Sequence, residues 1–349
     1  MALVTAPGET DLILPLPPPG KQLHPYTVHT HYFGFVIPEA EIGGYIYARY
    51  QPAFPLSQGG VVMFRGTHNH QLLDAEHHDY RATMPWPQVD DTRIVFDNGL
   101  EFDFTIPGEL IHIRYTSPDQ SVSLDLAQRA VTPLVWRGFI LPDEQFHHGE
   151  TADQHGGTEQ FLHCTGQLRL HDETFTVDCY PVRDRSWNQI RTENPGGGQP
   201  NPAIGWTPAY FGEDLSFNVT SFEAADTDPF WKDAYDLPDG PSVSYYKWMV
   251  RDGRLVEITE VRRRVIERHP VLGTASRQQL EIVDASGARS HFEGRALAVS
   301  PMHSWPNIGF ADSVFRWEDE HGRVTHCTYQ EVWWDNYQRL KCSRGAETR

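Results

Sequence analysis

The stretch Thr92-Arg93-Ile94-Val95-Phe96-Asp97-Asn98-Gly99-Leu100-Glu101-Phe102-Asp103-Phe104 places apolar residues at alternate positions (Ile94 and Phe96; Leu100, Phe102 and Phe104) around an Asn-Gly pair. A period of two sends alternate side chains to opposite faces of a strand, and Asn-Gly tolerates the left-handed backbone of a tight hairpin. The pattern continues outward through Leu110–Tyr115 and Ser121–Leu126. Tyr245–Glu260 turns at Asp252-Gly253, Gln279–Leu297 at Ser286-Gly287, and Ser313–Trp334 at His321-Gly322. Long helical periodicity is scarce. Turns spaced this regularly predict an all-β chain of antiparallel meanders, closed as barrels or packed as sandwiches.

A second hairpin fixes its own register. With His171-Asp172 as the turn, Leu168 falls opposite Phe175, Gly166 opposite Val177, and Cys164 opposite Cys179, so apolar residues match across the ladder. The two thiols are expected to stay reduced and pack. Four scattered cysteines without a Cys-x-x-Cys pair do not form a disulfide scaffold.

Length and punctuation predict two domains. Pro195-Gly196-Gly197-Gly198-Gln199-Pro200-Asn201-Pro202 breaks regular structure. The expected division is a loose Pro-rich arm at 1–22, a β domain at 23–191, a linker at 192–202 and a second β domain at 203–349, the two packed together. No short-period repeat is visible.

A formal charge of −18 argues against nucleic-acid or anionic-membrane partners, which need basic surface. No segment approaches the eighteen apolar residues of a membrane-spanning helix, and the first 21 residues lack the basic start and apolar core of a signal peptide. A cytoplasmic location is expected. Hydrophobic content is modest at 39%, but 18 Phe, 14 Tyr and 10 Trp offer large area per buried side chain. A nucleophile elbow, a P-loop and a dinucleotide fingerprint are all missing from the sequence.

Arg183-Asp184-Arg185-Ser186-Trp187-Asn188 sets one carboxylate between two guanidiniums, followed by a large aromatic. It resembles the Arg-Asp-x-Ser-Trp-Gly signature of the carotenoid hydratase (hydroxyneurosporene synthase) superfamily. Phe33-Gly34-Phe35, Ile42-Gly43-Gly44-Tyr45-Ile46, and Glu159-Gln160 ahead of Thr165-Gly166-Gln167-Leu168 are similar to the same superfamily. The resemblance implies two lipocalin-like domains and chemistry on greasy, alkene-rich molecules. Val182 stands where carotenoid hydratases carry Tyr. Asn188 stands where Gly is usual, which predicts a left-handed residue there, since Asn tolerates that backbone next best.

In that superfamily the Asp of the motif is the proposed proton donor to an alkene, so the resemblance assigns Asp184 as the catalytic acid. Glu159, His148 or His155 would handle water. Trp187 and Tyr45, with Trp206, Tyr329 and Glu331 on aromatic strands, would line the substrate pocket and shield a tertiary cation. The implied activity is a cofactor-independent hydratase or dehydratase on an isoprenoid-like alkene or tertiary alcohol. A cyclase or pericyclase on a hydrophobic polyene, and a non-catalytic carrier of a lipophilic ligand, stay open beside it. Equally open is a structural reading of Asp184 as half of an ion pair with Arg183 or Arg185. On a strand, 183, 185 and 187 face one way and 184 the other; continuing the face of Val177 and Cys179 would turn Asp184 outward, unless Pro181 breaks the register. Thr67-His68-Asn69-His70 with Glu76 approaches a His-x-His…Glu metal pattern, but the spacing is one residue too long, and neither metal nor cofactor is expected.

Overall fold

The computed structural model describes residues 5–14, 16, 20, 22–137, 156–190, 203–224, 240–302 and 308–334. It is all-β apart from short 3-10 turns, in antiparallel sheets. The chain forms two compact units, Met1–Arg65 with Ala75–Thr192, and Gly66–Asp74 with Glu193–Arg349. No helix among the described residues is long and apolar enough to cross a membrane.

The first unit contains β1 (Thr27–Ile37), β2 (Ile42–Gln51), β3 (Leu56–Arg65), β4 (His77–Pro85), β5 (Gln88–Asp90), β6 (Arg93–Val95), β7 (Glu101–Ile106), β8 (Leu110–Thr116), β9 (Val122–Ala130), β10 (Val135–Trp136), β11 (Gly156–Leu170), β12 (Glu173–Cys179) and β13 (Val182–Ile190). Hydrogen bonding orders them β4-β3-β2-β1-β13-β11-β9-β8-β7-β6-β5, with β10 and β12 attached to β11. The last strand therefore pairs with the first. The sheet curls until rings from non-adjacent strands meet: Phe33 of β1 lies 4.9 Å from Phe102 of β7, and the hydroxyl of Tyr115 on β8 donates to Asp79 on β4 at 2.8 Å. Each such phenylalanine stabilises the fold by about 1.5–3 kcal/mol through burial.

The second unit contains β14 (Ile204–Tyr210), β15 (Leu215–Phe222), β16 (Ser244–Arg251), β17 (Arg254–Val256), β18 (Ile258–Arg268), β19 (Ala275–Asp284), β20 (Arg289–Met302), β21 (Ile308–Asp319) and β22 (Val324–Trp334). Their order, β17-β16-β15-β14-β22-β21-β20-β19-β18, repeats that of the first unit, again with the last strand on the first. Its interior is apolar and aromatic, with Phe217, Phe292, Phe315, Trp317 and Tyr329 buried together.

Local signals and structure agree at several turns. Cys164 pairs with Cys179, Gly166 with Val177 and Leu168 with Phe175, around a left-handed His171 (φ 56°). Both thiols are free and buried. The Asn-Gly hairpin differs in detail. Phe96 N–H donates to the Leu100 carbonyl, and Gly99 alone is left-handed (φ 84°), so the loop has three residues, Asp97 to Gly99, with a glycine bulge. Residues 5–14 of the expected loose arm are ordered. A 3-10 turn at Gly8–Leu12 buries Thr10 and Asp11.

Candidate functional site

β1, β13 and β11 lie side by side, and their register decides which side chains meet. Tyr32 is opposite Asp184, and Asp184 is opposite Glu159. Tyr47 on β2 is in turn opposite Tyr32. Directly opposed residues project to the same face, with Cβ atoms about 4.5–5.5 Å apart. One rung thus carries Tyr47, Tyr32, Asp184 and Glu159. Tyr45 stacks beside it, its ring 5.4 Å from Tyr32 and 5.6 Å from Tyr47, and Tyr80 lies 6.4 Å beyond Tyr47.

The ion-pair partner of Asp184 is neither flanking arginine. Arg137, whose own N–H is held by the Gly157 carbonyl at 2.8 Å, donates from Nη1 to Asp184 Oδ2 at 2.5 Å. Both side chains are largely covered, at 11% and 15% exposure, and Glu159 is fully buried. The odd-numbered face of β12 continues into β13, so Arg183, Arg185 and Trp187 enter the barrel interior while Asp184 lies on the outer face with Glu159 and the tyrosines.

Inside, Arg183 donates to Asp11 Oδ1 at 2.8 Å and to Gln160 Oε1 at 3.0 and 2.8 Å. Arg185 donates to the carbonyls of Thr10 and Ile13 and lies over the Trp187 ring at 5.3 Å. Trp187 is therefore on the opposite side of the sheet from Asp184, packed where Gly156 leaves room; a Cβ at that glycine would lie 2.1 Å from the indole. Asn188 is left-handed (φ 51°) at a bulge where Trp187 and Asn188 oppose His29 alone, and its N–H donates to His29 Nδ1 at 3.1 Å.

In the second unit Glu331 and Tyr329 face the interior. Glu331 accepts from Tyr329 Oη at 2.8 Å, Ala275 N at 2.8 Å, Thr274 Oγ1 at 3.3 Å and Arg268 Nη1 at 3.2 Å, with Arg263 Nη2 at 3.5 Å. Arg268 also bonds Glu223. Burial works against the Glu331 charge, but Arg268 and Arg263 hold its carboxyl below the ordinary range; burial raises Glu223, opposed by the same two guanidiniums. Gly205, opposite Glu331, makes space for Arg263, whose Cζ would lie 2.6 Å from a Cβ there. Trp206 takes the other face, paired with Gln330.

The structure thus gathers Asp184, Glu159 and Tyr45, sends Trp187 to the far side of that sheet, and sets Trp206 on the face opposite Tyr329 and Glu331. His148 and His155 lie outside the described residues. Among the described residues no group of three His, Cys, Asp or Glu could hold a metal ion. Glu76 is 3.4 Å from Arg65, and the His68 and His70 rings are 6.4 Å apart. Sequence reasoning missed Arg137, Tyr32 and Tyr47. Tyr47 had a signal in its alternation with Tyr45; Tyr32 and Arg137 had none.

Residues 18–334 match a family model described as a domain of unknown function, DUF7064. The chain belongs to this family. No curated protein matches it. Among solved structures, this DUF7064 chain is similar to CghA at 12% identity and a TM-score of 0.50, over 95% of this chain and 93% of that one. CghA with Sch210972 matches at 12% identity and 0.45, over 89% and 88%. Kievitone hydratase from Nectria haematococca matches at 13% identity and 0.46, over 91% and 92%. At such identity the likeness concerns the fold, and the fold agrees with lipocalin-like β domains.

Proposed function

We propose that this DUF7064 protein is a cofactor-independent hydratase or dehydratase of an isoprenoid-like alkene or tertiary alcohol, in line with the superfamily resemblance of its Arg-Asp motif. The observation that carries the reading is the rung on which Asp184 and Glu159 stand opposite each other beside Tyr32, Tyr45 and Tyr47. Two carboxyl groups on one face allow one to give a proton while the other takes one. The Arg137 ion pair favours Asp184 as the acceptor and moves the donor role to Glu159. In the hydration direction, Glu159 gives its proton to the less substituted alkene carbon and the tertiary cation forms beside the tyrosine rings, whose faces are electron-rich. Water adds to the cation as Asp184 removes its proton. Transfer of that proton back to Glu159 closes the cycle, and dehydration runs the same steps in reverse.

The test is incubation of the purified protein with short terpene alcohols in deuterated water, read by gas chromatography with mass detection. Deuterium at carbon, with turnover lowered about 10²-fold or more in Glu159→Gln and in Asp184→Asn, supports the reading. Turnover unaffected by both substitutions would overturn it. Ligand binding without turnover would favour a carrier.

A further inference from the structure

We propose that the interior of the first unit holds a small-anion site centred on Arg185, with His29, His31 and Thr158 supplying further donors. This site lies on the opposite face of β1, β13 and β11 from the carboxylate rung and is independent of the proposed reaction.

The first argument is charge. Arg183 and Arg185 are both buried, and Asp11 is the carboxylate that acts on them, bonded to Arg183. Among the described residues, Arg185 has backbone carbonyls and an indole face as partners but no carboxylate bonded to it. Two guanidiniums against one carboxylate leave an unbalanced positive charge in a low-dielectric interior, which is costly without a counter-ion. The second unit shows the balanced alternative. There Arg263 and Arg268 meet Glu223 and Glu331, and Glu331 lies on β22, the last strand of its unit, as Arg185 lies on β13.

The second argument is unpaired donors. Arg185 stands opposite His31 on one side and Thr158 on the other, and His29 follows at the bulge. Arg185 Nε, His31 Nε2, Thr158 Oγ1 and His29 Nε2 are buried without a well-formed hydrogen bond, the Asp11 backbone carbonyl also acting on the His31 ring. Three such atoms on residues beside one cation, whose own Nε is also unpaired, call for an occupant. Their polarity says which kind. Asn188 N–H donates to His29 Nδ1, so the neutral ring carries its proton on Nε2. Tyr50 Oη lies 2.9 Å from His31 Nδ1, and with the phenol donating, His31 Nε2 is also an N–H. The set can present three N–H groups and a hydroxyl. That suits a small, singly charged, acceptor-only ligand: a halide, or the carboxylate of a small molecule.

The experiment uses the full chain at constant ionic strength, with the bulky anion gluconate replaced stepwise by bromide or by acetate. A saturable rise in the unfolding temperature is expected with at least one of them. It should vanish in Arg185→Gln, and Thr158→Val should need about tenfold more anion. Crystals grown in bromide should show anomalous density within hydrogen-bonding distance of Arg185 Nε. Protection by acetate alone identifies a carboxylate ligand and supports the site equally. Protection by neither anion, undiminished protection in Arg185→Gln, or ordered water alone on these atoms would overturn it. Should Arg185→Gln fail to fold, Thr158→Val and the bromide map decide.

Discussion

Asp11 and Arg183, 172 residues apart in sequence, form a buried ion pair at 2.8 Å that ties the N-terminal arm to the last strand of the first barrel. Gly108 N–H bonds the second Asp11 oxygen at 2.7 Å, so the carboxylate is held from both sides. Asp11→Ala should cost about 3–5 kcal/mol, because it strands a buried guanidinium. Urea unfolding would measure this. The double variant Asp11→Leu with Arg183→Met should recover at least half of the loss, since apolar replacement of a whole pair removes both desolvation costs.

His29 and His31 should remain neutral through the physiological range. Burial, then the charge of Arg185, pushes His29 down to about 3, and burial with Arg185 and Arg183 drives His31 in the same direction. The unfolded imidazoles protonate near pH 6.5 while the folded ones do not. Stability therefore falls as pH drops below about 6.5, by at most about 1.4 kcal/mol per pH unit for each ring. NMR of the ring nitrogens should show neither group titrating between pH 5 and 8; a midpoint above 5 for either would contradict the assignment.

Glu331 predicts a separate acid limb. Its folded carboxyl is held below the unfolded value of about 4.3, so its contribution is present above that pH and is lost as pH falls through the depressed folded value. Glu331→Gln should be destabilised by about 3–5 kcal/mol at pH 7, with a smaller deficit at pH 3. Urea midpoints of both proteins across pH 3–7 give the difference directly.

Cys164 should resist alkylation in the native protein. Burial, then the adjacent Cys179, raises its thiol well above the usual range, so little thiolate forms. Peptide mapping after iodoacetamide should find it modified only under denaturing conditions. Rapid native labelling would mean that the hairpin opens.

Much that depends on neighbours in the chain was readable from the residues, though the loop at Asn98-Gly99 is one residue longer than a two-residue turn. The Cys164–Cys179 register follows from matching apolar residues around a two-residue turn. The left-handed backbone at residue 188 follows from an Asn where Gly is usual. The face of Asp184 was left between two readings by Pro181, and the structure carries the odd-numbered face of β12 through that proline. What was not readable depends on partners brought in by closure. Nothing local to Arg137 marks it as the partner of Asp184, and a Pro-rich beginning gave no sign that Asp11 would be fully buried. Both contacts exist because β13 returns to β1, and no pattern of a few residues encodes that return.

That return also sets an order of events in folding. β1 can pair with β2 as soon as the hairpin is made, but its other edge must wait for β13; Thr30 and Ser186, bonded at 2.6 Å, are 156 residues apart. During synthesis, β1 keeps an open edge until nearly the whole first unit has left the ribosome. Closing so long a loop is slow, and an unpaired edge is a site of misassembly. The second unit repeats the wait between β14 and β22. The protein passes twice through a stage at which a chaperone, or a stray strand, has its best opportunity to bind.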